Sequence, residues 1–263
     1  MRMTSKIRFT NSAMTTLLAI GFTANADLIT VTGITGHDGG NWPASLGHLT
    51  DMVNGDGSNT FGSGDHNPGM DTSADPTDPS TWLYSGGSWQ QEWKANSRLD
   101  AGTSSNGKIG WTVLDLGSST ANLENMYLWN VRHQNNTENV DTFNVYYADT
   151  PATTLPVMPN SKTTTGDYDF AGGGWTLLNG GGPMTLAQNT TNNNTYQMDL
   201  ALGGISAQYI GIEILTAGNG VGAGRVGLAQ VELTSAIPEP HSAILLGMGL
   251  AVLACVRRRV FRG

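Results

Sequence analysis

Between residues 27 and 235 the apolar side chains come in short bursts, with stretches rich in Gly, Asn, Asp, Ser and Thr between them. Asp27 to Ile34 alternates weakly, and Trp111 to Leu116 is closed by Gly117. Asn125 to Val131 carries Met126, Leu128 and Asn130 on one parity and Tyr127, Trp129 and Val131 on the other. Thr142 to Ala148, Gly174 to Leu178, Thr195 to Leu202, Gln208 to Leu215 and Val226 to Leu233 follow the same pattern. A strand exposes successive side chains to opposite faces, whereas a surface helix repeats every three to four residues, and none of these bursts has the helical period. Short strands separated by turn residues predict an all-β antiparallel sandwich. From Gly36 to Ser105 the pattern is mostly that of a loop. So long a structureless span is unusual in one domain, which predicts short strands or a helical turn at Gly47 to Val53 within it. Gly218 to Gly224 reads as a second loop tip.

Two apolar runs lie outside this body. Ala13 to Phe22 follows Arg2, Lys6 and Arg8 and precedes Ala24-Asn25-Ala26. A basic start, a short apolar run and small residues form the layout of a secretory signal peptide, cut by signal peptidase after Ala26; an amphipathic first helix of the folded domain is the alternative. At the other end Ala243 to Val256 is apolar, flanked by Pro238-Glu239-Pro240 and by Arg257, Arg258 and Arg259. As a helix this run would cover about 21 Å, short of a hydrocarbon core of about 30 Å. Arginines after it would hold that end on the cytoplasmic side and leave the body outside. The prolines keep the approach extended and open to a processing enzyme. The expected divisions are therefore 1–26, a signal peptide; 27–235, one β-domain; and 236–263, a tail with a transient membrane helix over 243–256.

Charge sharpens the picture once the ends are set aside. The body holds twenty of the 21 Asp and Glu but six of the 13 Lys and Arg, an excess of fourteen negative charges. Binding to a phosphate backbone depends on Lys and Arg displacing counterions, so nucleic acid is excluded as a partner. The single cysteine, Cys255, lies in the tail, which leaves the body without a disulfide, a thiolate nucleophile or a cysteine metal site.

Candidate chemistry is sparse. Gly222-Ala-Gly224-Arg-Val-Gly227 satisfies G-x-G-x-x-G, but the residues after it read as a strand where a dinucleotide site needs a helix N-terminus. There is no G-x-S-x-G and no His-Glu-x-x-His, and the five histidines are dispersed. Asp65, Asp71, Asp75 and Asp78 miss the calcium-loop spacing. A glycosidase pair of carboxylates is uninformative among twenty acids. Aromatic side chains offer more, because the CH face of a sugar ring packs on an exposed indole. Trp82, Trp89 and Trp93 stand with Tyr84 in a Gly/Ser-rich region, with Lys94 and Arg98 nearby as donors. Trp89, Trp93 and Arg98 are one candidate ligand-binding patch, with burial under the long loop as the alternative. His133 and Asn135, after the Trp129 strand, are the second. Trp111 and Trp129 lie within strands and are expected in the core.

Two family resemblances rest on these residues. Pro238-Glu239-Pro240, the apolar run and Arg257 to Arg259 resemble the PEP-CTERM sorting signal of Gram-negative bacteria, which implies processing by an exosortase on the way to the cell envelope or extracellular matrix. Asn54-Gly55-Asp56 with Thr60 and Trp82, then Trp111 to Gly117, Tyr127 to Asn130, Phe143 to Asp149, Tyr209 to Ile214 and Val226 to Leu233, resemble in order the discoidin or F5/8 type C group of galactose-binding-like domains. That resemblance implies a jelly-roll β-sandwich and, from calcium-binding relatives, a structural calcium ion held by Asp56 and Glu232 with Asn54; hard oxygen ligands suit calcium. Asn54 stands where the group has Asp, and the loop from Gly57 to Ser80 is longer than usual. Together the resemblances imply an exported, non-enzymatic protein of matrix or biofilm that binds exopolysaccharide through its loops. A structural matrix protein without a defined ligand and a polysaccharide-modifying enzyme are the alternatives.

Overall fold

The computed structural model describes residues 26–36, 52–53, 78–83, 92–95, 110–132, 138–151, 168–180, 182–191, 194–218 and 226–236. Nine strands form its frame: β1 (Ala26–Ile29), β2 (Gly33–Gly36), β3 (Trp93–Ala95), β4 (Gly110–Asn130), β5 (Val140–Ala148), β6 (Thr176–Leu177), β7 (Met184–Thr185), β8 (Met198–Ala217) and β9 (Val226–Ala236). All pairings between them are antiparallel. Among the described residues no helix is long and apolar enough to cross a membrane. The tail, with Pro238, Glu239, Pro240, Arg257, Arg258 and Arg259, lies outside them, as does Ala24.

β4 and β8 run side by side for most of their 21 and 20 residues and build both layers. The first part of β4 carries β2 on its free edge, while its second part carries β9. β8 adds β5 alongside its second half, and β6 and β7 lie against β5. β1 and β3 pair with β9. Asn130, at the far end of β4, hydrogen-bonds Val140, while Gly110, at its start, is opposite Ile214, which is opposite Phe143. The two ends of β4 therefore meet at one pole, and the chain doubles back between them. Leu114 and Leu116 from the first half share a single core with Leu123, Met126 and Leu128 from the second, together with Phe143, Val145, Ile210, Ile212, Ile214, Val231 and Leu233.

The doubling-back has a local cause. Gly117 has φ +78°, a conformation that only glycine adopts without strain, and its N–H donates to Asp115 Oδ1 at 2.8 Å. The Asp115 carbonyl accepts from the Thr32 N–H at 2.8 Å and from the Thr32 hydroxyl at 3.1 Å. Asp-Leu-Gly at 115–117 thus ties the bend to the turn between β1 and β2. This is why the single strand expected over Asp27 to Ile34 is two, each with its own partner strand. It is also why Trp111 to Leu116 and Asn125 to Val131, expected as separate strands, are one: the irregularities between Asp115 and Asn125 bend the ladder with β8 without ending it. Met198 to Leu202, from the strand expected over Thr195 to Leu202, and Gln208 to Leu215 merge into β8 for the same reason.

Each layer also carries an aromatic cluster on its outer face. Trp82, Tyr127, Trp129 and Ala229 pack together with Tyr196 on one. Trp111, Val113, Tyr168 and Phe170 pack with Tyr146, Trp175 and Tyr209 on the other. Trp111 and Trp129 are both 1% exposed, buried as expected from their place in strands.

Candidate functional site

The pole where β4 ends and β5 and β9 begin is built from amides. Asn130 is fully buried; its Nδ2 donates to the Val140 and Ala187 carbonyls, both at 2.9 Å, and its Oδ1 accepts from the Val140 N–H at 2.7 Å. The Asn130 N–H donates to Gln197 Oε1 at 2.6 Å. Asn139 Oδ1 accepts from the Asn189 N–H at 2.9 Å, and the Asn139 carbonyl accepts from the Gly218 N–H at 2.9 Å. An amide side chain offers a donor and an acceptor on one planar group, so each satisfies strand-end backbone groups that no ladder reaches. The result is a floor of amides that ties the described ends of β4, β5 and β8 together.

Two stretches of the chain meet here. The Arg132 N–H donates to Glu92 Oε1 at 2.8 Å, and Glu92 is fully buried. β3 lies on β9 in the register Trp93 to Leu228, Lys94 to Gly227 and Ala95 to Val226. The Gly227 N–H in turn donates to the Glu138 carbonyl at 3.0 Å. Glu92 to Ala95 and Arg132, which adjoin the candidate patches in sequence, therefore lie at the same pole, which the spacing in sequence does not reveal.

Trp93 itself departs from expectation. It is fully buried in the principal core, because β3 turns its indole inward against β9, and so it is no sugar platform. Trp82 is fully buried too, its ring 5.0 Å from that of Tyr127 at 75°. Trp89, Arg98, His133 and Asn135 lie outside the described residues. Sequence reasoning missed Glu92, Arg132 and the amides Asn130, Asn139 and Asn189. The available signal was a polar residue ending an apolar strand, as Asn130 does after Tyr127-Leu-Trp129.

Of the three residues expected around calcium, Asn54 and Asp56 lie outside the described residues. Glu232 is on β9, 4% exposed, opposite Tyr127 on the outer face. Gln230 and Thr234, two positions either side, are fully buried. Gln230 Nε2 donates to Glu232 Oε1, whereas Gln230 Oε1 and Thr234 Oγ1 have no hydrogen-bond partner among the described residues. Buried oxygens without donors beside a carboxylate fit a hard cation. No group of three His, Cys, Asp or Glu suited to a metal occurs among the described residues. Ala26, the residue before the expected signal-peptidase cut, opens β1 opposite Ala236.

The second aromatic face surrounds a carboxylate. Glu213 is 2% exposed and lies between Asn144 on β5 and Trp111 on β4. Asn144 Nδ2 donates to Glu213 Oε2 at 2.9 Å and the Tyr146 hydroxyl donates to the same oxygen at 3.1 Å. Burial, then the Glu213 charge beside it, pushes the Tyr146 phenol up to about 12. Phe170 stacks on Tyr146 with centroids 4.7 Å apart and planes at 8°, and the Tyr168 hydroxyl accepts from the Trp175 indole N–H at 3.0 Å. These groups are spent on one another, so this face is packing.

No protein-family model matches the chain, and no curated protein matches it. Among solved structures it is similar to truncated AlyQ with CBM32 and alginate lyase domains, at 12% identity and TM-score 0.42 over 81% of this chain; the chain spans 34% of that protein. It is similar to an F5/8 type C domain from Bacteroides fragilis, at 11% identity and TM-score 0.40 over 81% of this chain and 97% of that one. A third similar structure is the family 32 CBM of C. perfringens NanJ in complex with galactose, at 14% identity and TM-score 0.38 over 80% and 99%.

Proposed function

We propose that this chain is an exported envelope or matrix protein whose body, a discoidin-like jelly-roll sandwich, binds carbohydrate at the amide-floored pole and catalyses no reaction. Signal peptidase removes 1–26, the helix over 243–256 holds the body briefly at the inner membrane, and an exosortase processes the Pro238-Glu239-Pro240 tail. The single observation that supports the binding reading is the Arg132 to Glu92 hydrogen bond, which joins the described residues next to the two stretches that carry the candidate patches. A rigid floor under loops rich in amides and aromatics suits shallow sugar recognition, where pre-organisation limits the ordering cost. Glu232, with Asn54 and Asp56, would hold a structural calcium ion. The burial of Trp82 and Trp93 favours a second reading, a matrix protein that binds no defined ligand, since it removes two indoles from the surface.

A glycan array on the body 27–236 separates the two. Binding that is lost in Trp89→Ala and in His133→Ala/Asn135→Ala, with the melting temperature kept, is the expected result. An array blank at every sugar, or binding indifferent to both variants, overturns the proposal.

A further inference from the structure

We infer that the outer face on which Trp82, Tyr127, Trp129 and Tyr196 pack carries a second binding site, at Tyr196 between Asp78 and Asp199, for a polysaccharide of amine-bearing, unacetylated amino sugars. It draws on none of the residues proposed at the pole, and it stands or falls apart from that reading.

Tyr127 is the centre of this face. In the strand register it has Asp199 of β8 on one side and Glu232 of β9 on the other, so a carboxylate, a phenol and a second carboxylate form one row across three strands. Neighbouring strands lie about 4.8 Å apart, which separates the two acidic residues by about 10 Å. Trp82 stands edge-on to Tyr127 and is fully buried. Tyr196, 5.0 Å from Tyr127 at 67° and 5.5 Å from Trp129 at 80°, is half-buried and keeps part of its ring open. Burial, then the charges of Asp199 and Asp78, pushes the Tyr196 phenol up, which sets both acids close to that ring.

The two acids have capacity to spare. Asp78 is exposed and spends one carboxylate oxygen on the Ser80 N–H at 3.0 Å and the Ser80 hydroxyl at 2.7 Å. Asp199 is exposed too, and burial is the one influence on its carboxyl, which it pushes up; no neighbouring cation or hydrogen-bond donor draws it down. No Lys, Arg or His occurs in the described stretches 78–83, 125–129, 194–201 and 230–236 that build the face. Gln230 and Thr234, fully buried on the same face of β9, each keep an oxygen without a hydrogen-bond partner. The face is thus rich in acceptors and short of donors. A partnerless carboxylate beside a tyrosine ring suits an ammonium group, whose charge the ring attracts and whose three N–H groups reach the carboxylate oxygens. A metal ion fits less well, since no group of three His, Cys, Asp or Glu occurs among the described residues.

The rim favours a sugar amine over a protein lysine. Ser80, Thr81, Asn194 and Thr195 are exposed and give it hydroxyls and an amide, whereas Leu83, 37% exposed, is the one exposed large apolar side chain among the described residues. A protein interface is centred on an apolar patch, which the described surface lacks.

Calorimetric titration of the body 27–236 with a chitosan oligomer, its fully N-acetylated counterpart and oligolysine is the test. Binding of the chitosan oligomer and not of the acetylated one is expected. An exposed charge pair contributes up to about five-fold in affinity and an exposed cation–ring contact about two- to five-fold, so Asp199→Asn/Tyr196→Leu is expected to lose about ten-fold. Asp199→Glu and Tyr196→Phe, which keep the charge and the ring, are expected to retain binding. Asp149→Asn, the same charge change beside Ser119 in the bend of β4, is expected to leave it unaltered. If Tyr196→Leu lowers the melting temperature, Asp199→Asn against Asp149→Asn decides. Equal losses in those two variants, or equal binding of the acetylated oligomer, overturn the inference, as does oligolysine bound where chitosan is not. Chitosan binding lost in Trp89→Ala and kept in Asp199→Asn/Tyr196→Leu also overturns it, and leaves the reading at the pole standing.

Discussion

A methyl group added to Gly211 tests the packing of the outer aromatic face most directly. An ideal Cβ there would lie 2.2 Å from Phe170 Cε1 and 3.0 Å from its Cδ1 and Cζ, distances at which atoms overlap. Gly211 sits in β8 between Val113 and Tyr146, so backbone movement is resisted from both sides. The ring must move instead. Phe170 is 1% exposed, stacked on Tyr146 and edge-on to Tyr168 and Trp175 at centroid distances of 4.9 and 5.1 Å. Phe170→Ala is expected to cost about 3 to 5 kcal/mol, the range for a buried phenylalanine. Gly211→Ala, which displaces the ring without deleting it, is expected to cost about 2 to 4 kcal/mol. Once Phe170 is alanine the clash is gone. There Gly211→Ala should be neutral or stabilise by about 0.5 to 1 kcal/mol, because glycine is the less favourable residue in a strand. Urea unfolding of the body and its three variants gives the double-mutant cycle, with an expected coupling of at least about 2 kcal/mol. Additive costs, or a Gly211→Ala variant within about 0.5 kcal/mol of the parent, refute the notch.

Other outcomes follow from the same geometry. Trp93→Ala should cost about 3 to 5 kcal/mol in thermal or urea unfolding, and Trp93→Phe far less, since the buried indole N–H has no partner among the described residues; equal stability of Trp93→Ala and the parent would remove Trp93 from the core. Because the folded Tyr146 phenol titrates near 12 against an ordinary 10, the folded state holds its proton more tightly. Its contribution is complete below about pH 10 and is lost as pH rises toward 12, so Tyr146→Phe should flatten stability over that window, read by urea midpoints at pH 9 to 12. Calcium at about 100 times its dissociation constant should raise stability by about 2.7 kcal/mol, and Glu232→Gln should abolish the rise; a parent midpoint unmoved by calcium or EGTA counts against the ion. Asn130→Ala strips three hydrogen bonds from backbone groups, two of them on buried Val140, and should cost about 3 kcal/mol, measured by urea unfolding, with Asn130→Asp nearly as damaging.

The layering was legible because burial writes itself into parity: Ile210, Ile212 and Ile214 face inward while Tyr209, Gly211 and Glu213 face out. Strand ends were harder. Gly117-Ser-Ser reads as a stop, yet the ladder with β8 continues past it, because a glycine at positive φ can bend a strand as well as end it. Short strands such as β3 and β7 exist through their partners in β9 and β5 and have no periodicity of their own. For Trp93 the Gly/Ser-rich surroundings suggested exposure, and three residues of pairing with β9 decided otherwise. The meeting of Glu92 with Arg132 depends on a contact 40 residues apart in the chain, which spacing alone does not carry.

β9 begins at the amide-floored pole with Val226 and ends at Ala236, opposite Ala26. At about 3.3 Å per residue its eleven residues carry the chain roughly 35 Å. The first and last described residues, Ala26 and Ala236, therefore lie side by side at one tip, while the buried amides Asn130, Asn139 and Asn189 stand at the other. A segment joined at either end of the described domain is thereby held about one strand length away from the amide-floored pole.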